Sequence, residues 1–258
     1  MTMPTITETY GLIGHPLGHS FSQKYFTDKF LREGIDAEYL NFDIEDISDL
    51  QFVLQDNLYL AGFNVTIPYK REIIPFLDHI DPLAKEIGAV NTVKVSQKDG
   101  KTVLTGFNTD ILGFMESIRP HLKTCHTNAL ILGTGGASKA VAAALKKLGI
   151  NYTFVSRNPS PGQLGYDTLT EEVMSRNRVI VNCTPLGTFP ANNTFPELPY
   201  RFITDRHLCF DLVYNPPLTK FLEKSAEQGA EIVNGAEMLR IQADEAWKIW
   251  RNDMKKQP

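Results

Sequence analysis

A chain of 258 residues that is 42% apolar has room for two domains of moderate size, each with its own core. Its formal net charge of −4 leaves no basic footprint for nucleic acid, and no apolar run approaches the roughly 20 residues of a membrane span. The start of the chain, Met1–Thr9, is polar, lacks a basic region and does not read as a signal peptide. In chain order, Thr9–Gly14 is predicted as a strand, followed by a loop rich in glycine and histidine and a helix over Gln23–Arg32 closed by Gly34. Ala37–Phe42 reads as a strand, Ile47–Leu54 as a helix, and Leu60–Ile67 as a third strand stopped by Pro68. This alternation predicts a mainly parallel α/β sheet. Asp81-Pro82 opens a helix ending near Gly88. Val90–Val95 and Thr102–Phe107 flank Lys98-Asp99-Gly100, a hairpin signal, and the hairpin is expected at the edge of the first domain. A helix then runs from Asn108-Thr109-Asp110 to about Ile118, where Pro120 ends it.

The second half is organised around Ala129–Ala140, an apolar strand running into Gly133-Thr134-Gly135-Gly136-Ala137 and a helix to Leu148. Gly133 allows a tight turn, Gly135 lets a pyrophosphate approach the backbone, and the helix start offers N–H groups to phosphates. Ser138 is small enough for close contact at the third position of the pattern. The bland alternative is an ordinary turn between strand and helix. The next strand, Asn151–Val155, ends in Ser156-Arg157 where an NAD site usually carries an acidic residue for the ribose. An arginine fork suits a 2′-phosphate, so NADP is favoured over NAD; otherwise Arg157 is a solvated cation at a strand end. Ser160-Pro161-Gly162 stands where a crossover helix belongs, so that helix is expected to be short or missing. Strands over Arg178–Asn182 and Leu208–Val213 end in Cys183-Thr184-Pro185 and Tyr214-Asn215-Pro216, placed to line a ligand cleft. A helix over Leu218–Gln228, a short strand at Glu231–Val233 and an amphipathic helix over Ala236–Trp250 complete the chain.

Several residues have chemistry to offer. Asn64 and Thr66 are two apart on a predicted strand and share a face; a polar ligand or other protein groups would satisfy them. Pro68 is expected to start a helix with Lys70 in its first turn, where the dipole opposes a cation and suits a proton-transfer group. The alternative is a solvated Lys70-Arg71 pair. Asp110 starts a helix and is either a cap or a carboxylate partner for a lysine. Ser20 and Ser22 lie in the first loop, Asn91 at the start of a hairpin strand, and Gln242 on the helix face that carries Met238; each also has a capping, turn or surface reading. Cys125, Cys183 and Cys209 form no C-x-x-C pair and the six histidines have no metal spacing, which points to a reducing, cytoplasmic compartment and no metal.

Together these motifs resemble the shikimate dehydrogenase family across almost the whole chain. The matching pieces are Gly14-His15-Pro16 with His19-Ser20-Phe21-Ser22, Asn64–Lys70, Gly88–Thr92, Asn108-Thr109-Asp110, Gly133–Ser138, Asn182–Gly187, Asp211–Pro216, and Gly235 through Met238 to Gln242. The resemblance implies two α/β domains with a cleft between them. A mainly parallel substrate-binding sheet would occupy residues 1–108 and 236–258, and a Rossmann-like NADP-binding domain residues 109–235. It implies reversible, NADP-dependent reduction of 3-dehydroshikimate to shikimate, on the route to chorismate and the aromatic amino acids. Lys70 and Asp110 would be the catalytic pair. Ser20, Ser22, Asn64, Thr66, Asn91, Tyr214 and Gln242 would bind shikimate. Gly133, Thr134, Gly135, Gly136, Ala137, Ser156, Arg157, Thr184, Gly235 and Met238 would bind NADP. The implied partners are small molecules, not nucleic acid or membrane, and the chain would be a monomer or homodimer. Two features depart from the family: Gln23 stands where proline usually follows Ser-x-Ser, and the segment after Arg157 lacks the usual second basic residue. The rival readings are a broader quinate/shikimate dehydrogenase, an enzyme for an amino analogue, and a non-catalytic shikimate-binding regulator.

Overall fold

The computed structural model describes residues 8–18 and 21–252. The chain divides into two compact units, Met1–Thr109 with Ala243–Pro258, and Asp110–Gln242. The first unit runs β1 (Glu8–Gly14), α1 (Phe21–Glu33), β2 (Ala37–Asp43), α2 (Leu50–Asp56), β3 (Leu60–Val65), β4 (His79–Ile80), α3 (Pro82–Ile87), β5 (Thr92–Lys98) and β6 (Lys101–Phe107). The second contains α4 (Asp110–Ile118), β7 (Asn128–Leu132), α5 (Gly136–Lys147), β8 (Asn151–Ser156), β9 (Leu164–Gly165), α6 (Glu171–Arg176), β10 (Val179–Asn182), β11 (Leu208–Asp211), α7 (Lys220–Ala226) and β12 (Glu231–Val233). The last helix, α8 (Ala236–Arg251), gives its first part to the second unit and the residues from Ala243 onward to the first. No helix among the described residues is long and apolar enough to cross a membrane.

The first unit holds a six-stranded sheet in the order β2-β1-β3-β5-β6-β4. β1 pairs in parallel with β2 and β3, and the β5–β6 hairpin continues the sheet antiparallel. The hairpin turns at Asp99 and Gly100, both with positive φ (52° and 74°), as the Asp-Gly signal requires. It is not the edge of the sheet: β4 adds in parallel outside β6, with His79 opposite Thr105. A two-residue strand carries too little pattern to be read from sequence. Alternation along β1 sends Tyr10 and Leu12 to one face and Ile13 to the other. The first face packs on Phe26 and Phe30 of α1 and on Ala246, Ile249 and Trp250 of α8. A Cβ at Gly62 on β3 would fall 2.3 Å from the Trp250 indole, whose N–H donates to Val93 O at 3.0 Å. The glycine in β3 is therefore the seat of that tryptophan. The opposite face packs on Leu50, Val53, Tyr69, Ile73 and Ala84.

The second unit's sheet is parallel throughout, in the order β12-β11-β10-β7-β8-β9. Numbered within the unit this is 3-2-1-4-5-6 read from β9, the doubly wound order, and the strand order reverses between β7 and β10. Both faces are covered, which is why Ala129–Leu132 and Val179–Val181 are uninterrupted apolar runs and fully buried. The crossover after β8 is short, as expected: it holds the two-residue strand β9, a single 3-10 turn at Tyr166–Thr168 and the six-residue α6.

Candidate active site

In the first unit the predicted polar residues converge on a buried network. Asn64 and Asn91 are both buried, at 4% and 3% exposure. Asn64 Nδ2 donates to Asn91 O (3.2 Å) and Thr92 Oγ1 (3.1 Å), and Asn64 Oδ1 accepts from the Tyr39 hydroxyl (2.9 Å). Asn91 Oδ1 accepts from the Thr109 N–H (2.8 Å) and Asn91 Nδ2 donates to Thr109 Oγ1 (3.0 Å). Asn91 is thus more than turn chemistry: it fixes the residue that precedes Asp110. Ser22 is buried at the start of α1. Ser20 lies outside the described residues.

Lys70 does not stand in a helix. β3 ends at Val65, so Thr66 lies beyond the strand, half-buried with its methyl against Gly14. Residues 67–73 form a turn segment. Its bonds alternate in span, Tyr69 N–H to Thr66 O and Ile73 N–H to Tyr69 O, both 2.9 Å, instead of forming a helical ladder. The physical reason is tertiary. The Tyr69 ring is drawn into the core with its hydroxyl on Ile44 O (2.7 Å), and the Lys70 carbonyl accepts from Val90 N–H (2.7 Å). The dipole argument for Lys70 therefore has no helix behind it. What the structure supplies instead is a fixed backbone, with Lys70 tied to Val90, the neighbour of Asn91.

In the second unit Asp110 is the first residue of α4, buried, in the turn where the helix dipole favours an anion. Gly113, one turn on and on the same face, meets α8 closely: a Cβ there would lie 2.8 Å from Met238 O and 3.1 Å from Gln242 Cβ. Gln242 is buried, not a residue of the stripe edge, and donates to Leu239 O (3.0 Å). The start of α8 is pinned in turn to the loop after β11. Gly235 N–H donates to Val213 O (3.1 Å), and a Cβ on Gly235 would sit 2.2 Å from Leu212 O. Tyr214, partly exposed, follows in that loop. Gly113, Met238, Gln242, Gly235, Leu212 and Val213 are thus joined by contacts within this unit, with Asp110 one turn before Gly113 and Tyr214 next to Val213 in the chain.

The glycine turn sits at the reversal of strand order. Gly133 has φ of +98°, and a Cβ on it would meet Thr184 Cγ2 at 3.2 Å, so the loops after β7 and β10 touch. Beside Gly135 and Gly136 an added Cβ would meet nothing within 4 Å, and α5 starts at Gly135 without a side-chain cap. Ser138 is fully buried and donates to Gly135 O (2.7 Å), the tight fit its size allows. Uncapped N–H groups, an open backbone face and exposed Thr134 suit a pyrophosphate. Arg157 is exposed at the end of β8, next to β7. The Ser156 hydroxyl is engaged locally with the backbone of Asn158 (3.2 Å), which leaves Arg157 as the stronger donor there. The donor set fits a 2′-phosphorylated dinucleotide.

Reading from sequence missed two residues that organise this end of the sheet. Asp211, fully buried, accepts from Asn182 Nδ2 (2.9 Å), Val213 N–H (3.0 Å) and the Thr219 hydroxyl (2.6 Å). Asn182 Oδ1 in turn accepts from Thr184 N–H (3.0 Å) and Oγ1 (2.6 Å). Burial pushes the Asp211 carboxyl up to about 6, against the pull of its three donors. The signal was present: a carboxylate inside the apolar run Leu208–Val213 must have buried partners.

Comparison with known proteins gives consistent results. The family model described as "Shikimate dehydrogenase substrate binding domain" matches residues 12–93. The chain is 38% identical over 257 residues to "Shikimate dehydrogenase (NADP(+))" of Aquifex aeolicus (strain VF5), covering 95% of this chain and 91% of that protein. It is 36% identical over 261 residues to the protein of the same name from Methanococcus maripaludis, covering 95% and 91%. Among solved structures, shikimate 5-dehydrogenase from Thermus thermophilus, in complex with NADP(H) and shikimate, matches with a TM-score of 0.83 and 30% identity, over 95% of this chain and 94% of that one.

Proposed function

The chain belongs to the shikimate dehydrogenase family, and from that premise we propose how its residues divide the work. The reaction is the NADP-dependent, reversible reduction of 3-dehydroshikimate to shikimate. Residues of the unit Met1–Thr109 with Ala243–Pro258 bind most of the substrate, and residues of Asp110–Gln242 bind the nucleotide and supply Asp110, Tyr214 and Gln242 to the substrate. NADP, when bound, supplies the nicotinamide that takes the hydride from shikimate or, reduced, returns one to the ketone. The chain's own residues do the rest. Lys70 holds and moves the proton at the substrate's C3 oxygen. Asp110 orients the lysine and that hydroxyl. Ser20, Ser22, Asn64, Thr66, Asn91, Tyr214 and Gln242 take the ring hydroxyls and the carboxylate. Gly133, Thr134, Gly135, Gly136, Ala137 and Thr184 cradle the phosphates, Ser156 and Arg157 take the 2′-phosphate, and Gly235 and Met238 flank the nicotinamide.

One observation carries these assignments: the hydrogen bonds that tie Asn64 to Asn91 and Asn91 to Thr109, while Lys70 is held to Val90. Those bonds give the lysine and the residue before the aspartate a common frame. Three free thiols, Cys125, Cys183 and Cys209, fit a reducing cytoplasm.

The nucleotide assignment is tested without turnover. A charge-assisted bond to a 2′-phosphate contributes about 1.5–3 kcal/mol. Arg157→Ala is therefore expected to weaken NADPH binding roughly tenfold to a hundredfold, read by fluorescence titration, and to leave NADH binding unchanged. Equal loss for both nucleotides, or none for NADPH, would remove Arg157 from that role.

A further inference from the structure

Tyr39 lies on β2, 3% exposed, its ring stacked on Phe26 with centroids 4.7 Å apart and planes 10° from parallel. A phenylalanine would fill that stack without burying a hydroxyl, so the oxygen needs its own explanation. Among the described hydrogen bonds it donates to Asn64 Oδ1, at 2.9 Å. The directions follow from a proton count. The Asn91 carbonyl cannot donate, so Asn64 must turn its NH₂ toward it and toward Thr92 Oγ1. That leaves Asn64 Oδ1 facing Tyr39, whose single proton goes to it. Desolvation holds the Tyr39 hydroxyl well above its ordinary value, so it keeps its proton. The chain runs Tyr39 → Asn64 → Thr92, and no link can reverse without breaking another.

We infer that Tyr39 is a positioning residue for substrate binding, fixing the rotamer and proton direction of Asn64 through its hydroxyl. The inference rests on the proposed substrate role of Asn64. Tyr39 itself need not touch the ligand: it sits behind Asn64, on a strand no motif marks.

The test is Tyr39→Phe beside Asn64→Ala, with the double variant. Tyr39→Phe keeps the stacked ring and leaves Asn64 Oδ1 without its donor. The expected result is a rise of about tenfold in KM for shikimate, with KM for NADP within twofold of wild type and an unchanged circular-dichroism spectrum. The double variant should be no worse than Asn64→Ala alone, because both act through one group. If Asn64→Ala raises KM for shikimate and Tyr39→Phe does not, the role of Tyr39 falls while the substrate site stands. If Asn64→Ala leaves it unchanged, the substrate site falls and the inference with it. A parallel rise in both KM values would mean general loosening and would also overturn it. Should Tyr39→Phe fail to fold, Thr92→Val breaks the chain at its other end and carries the same expectation: shikimate KM up, NADP KM unmoved.

Discussion

Replacing Lys70 by alanine is expected to lower kcat for shikimate oxidation by about 10²–10⁴-fold, the usual contribution of a positioned proton-transfer group. Alanine removes the ammonium but not the carbonyl bond to Val90, so the backbone that carries the site should persist. Shikimate and NADP binding should change far less than turnover, and KM should not rise in step with the loss in kcat. The experiment is steady-state kinetics on both substrates, with a thermal melt to show that the variant is folded. Turnover near the wild-type rate would end the proton-transfer role. A loss confined to KM would recast Lys70 as a binding residue.

The second large effect is on stability. Asp211→Ala leaves three buried donors, on Asn182, Val213 and Thr219, without their acceptor. Each unpaired donor costs about 1–3 kcal/mol. Against this, the variant escapes the cost of burying a charge. The Asp211 carboxyl titrates at about 6 in the fold and its ordinary value is 3.8; that difference corresponds to about 3 kcal/mol of penalty on the ionised folded state. The net expectation at neutral pH is a loss of about 3 kcal/mol. The sign of the pH dependence follows from linkage. A carboxyl whose folded value is raised lends most stability when protonated, below its ordinary value, and loses that contribution as pH rises toward about 6. The gap between wild type and Asp211→Ala should therefore be widest near pH 3 and narrow by about 3 kcal/mol by pH 7. Denaturant titrations at the two pH values measure it. A gap that widens with pH would mean the fold prefers the carboxylate ionised. Because Asn182 hands the constraint on to Thr184, the variant should also bind NADPH more weakly.

How much of this was legible from sequence depends on how local the cause is. The glycine turn, the Asp-Gly hairpin and the capped helix at Asp81-Pro82 are set by backbone conformations that particular residues permit, and each stands where its residues put it. The short crossover was also readable, because Ser160-Pro161-Gly162 cannot sustain a helix. Lys70 was misread for the opposite reason. Nothing near it in sequence reveals that its carbonyl is taken by Val90 or that the Tyr69 hydroxyl reaches Ile44 O, and those tertiary bonds stand in place of the helix its neighbourhood otherwise allows. β4 and β9, two residues each, exist only because a longer strand lies beside them. Asn91, Asp110 and Gln242 each have an ordinary reading in sequence as a turn, cap or surface residue, and their burial is set by distant parts of the chain. Asp211 left a signal, a carboxylate in an apolar run, but its partners did not; Tyr39 left none, because the side chain its hydroxyl meets, Asn64, is 25 residues away in sequence.

The most direct measurement is steady-state oxidation of shikimate and of quinate, each with NADP and with NAD, followed by the absorbance of the reduced cofactor. Turnover with shikimate and NADP, and far less with quinate or NAD, is the predicted result. Folded protein that binds shikimate yet turns over no pair would contradict it, and would make the chain a shikimate-binding regulator that retains Lys70 and Asp110 without using them.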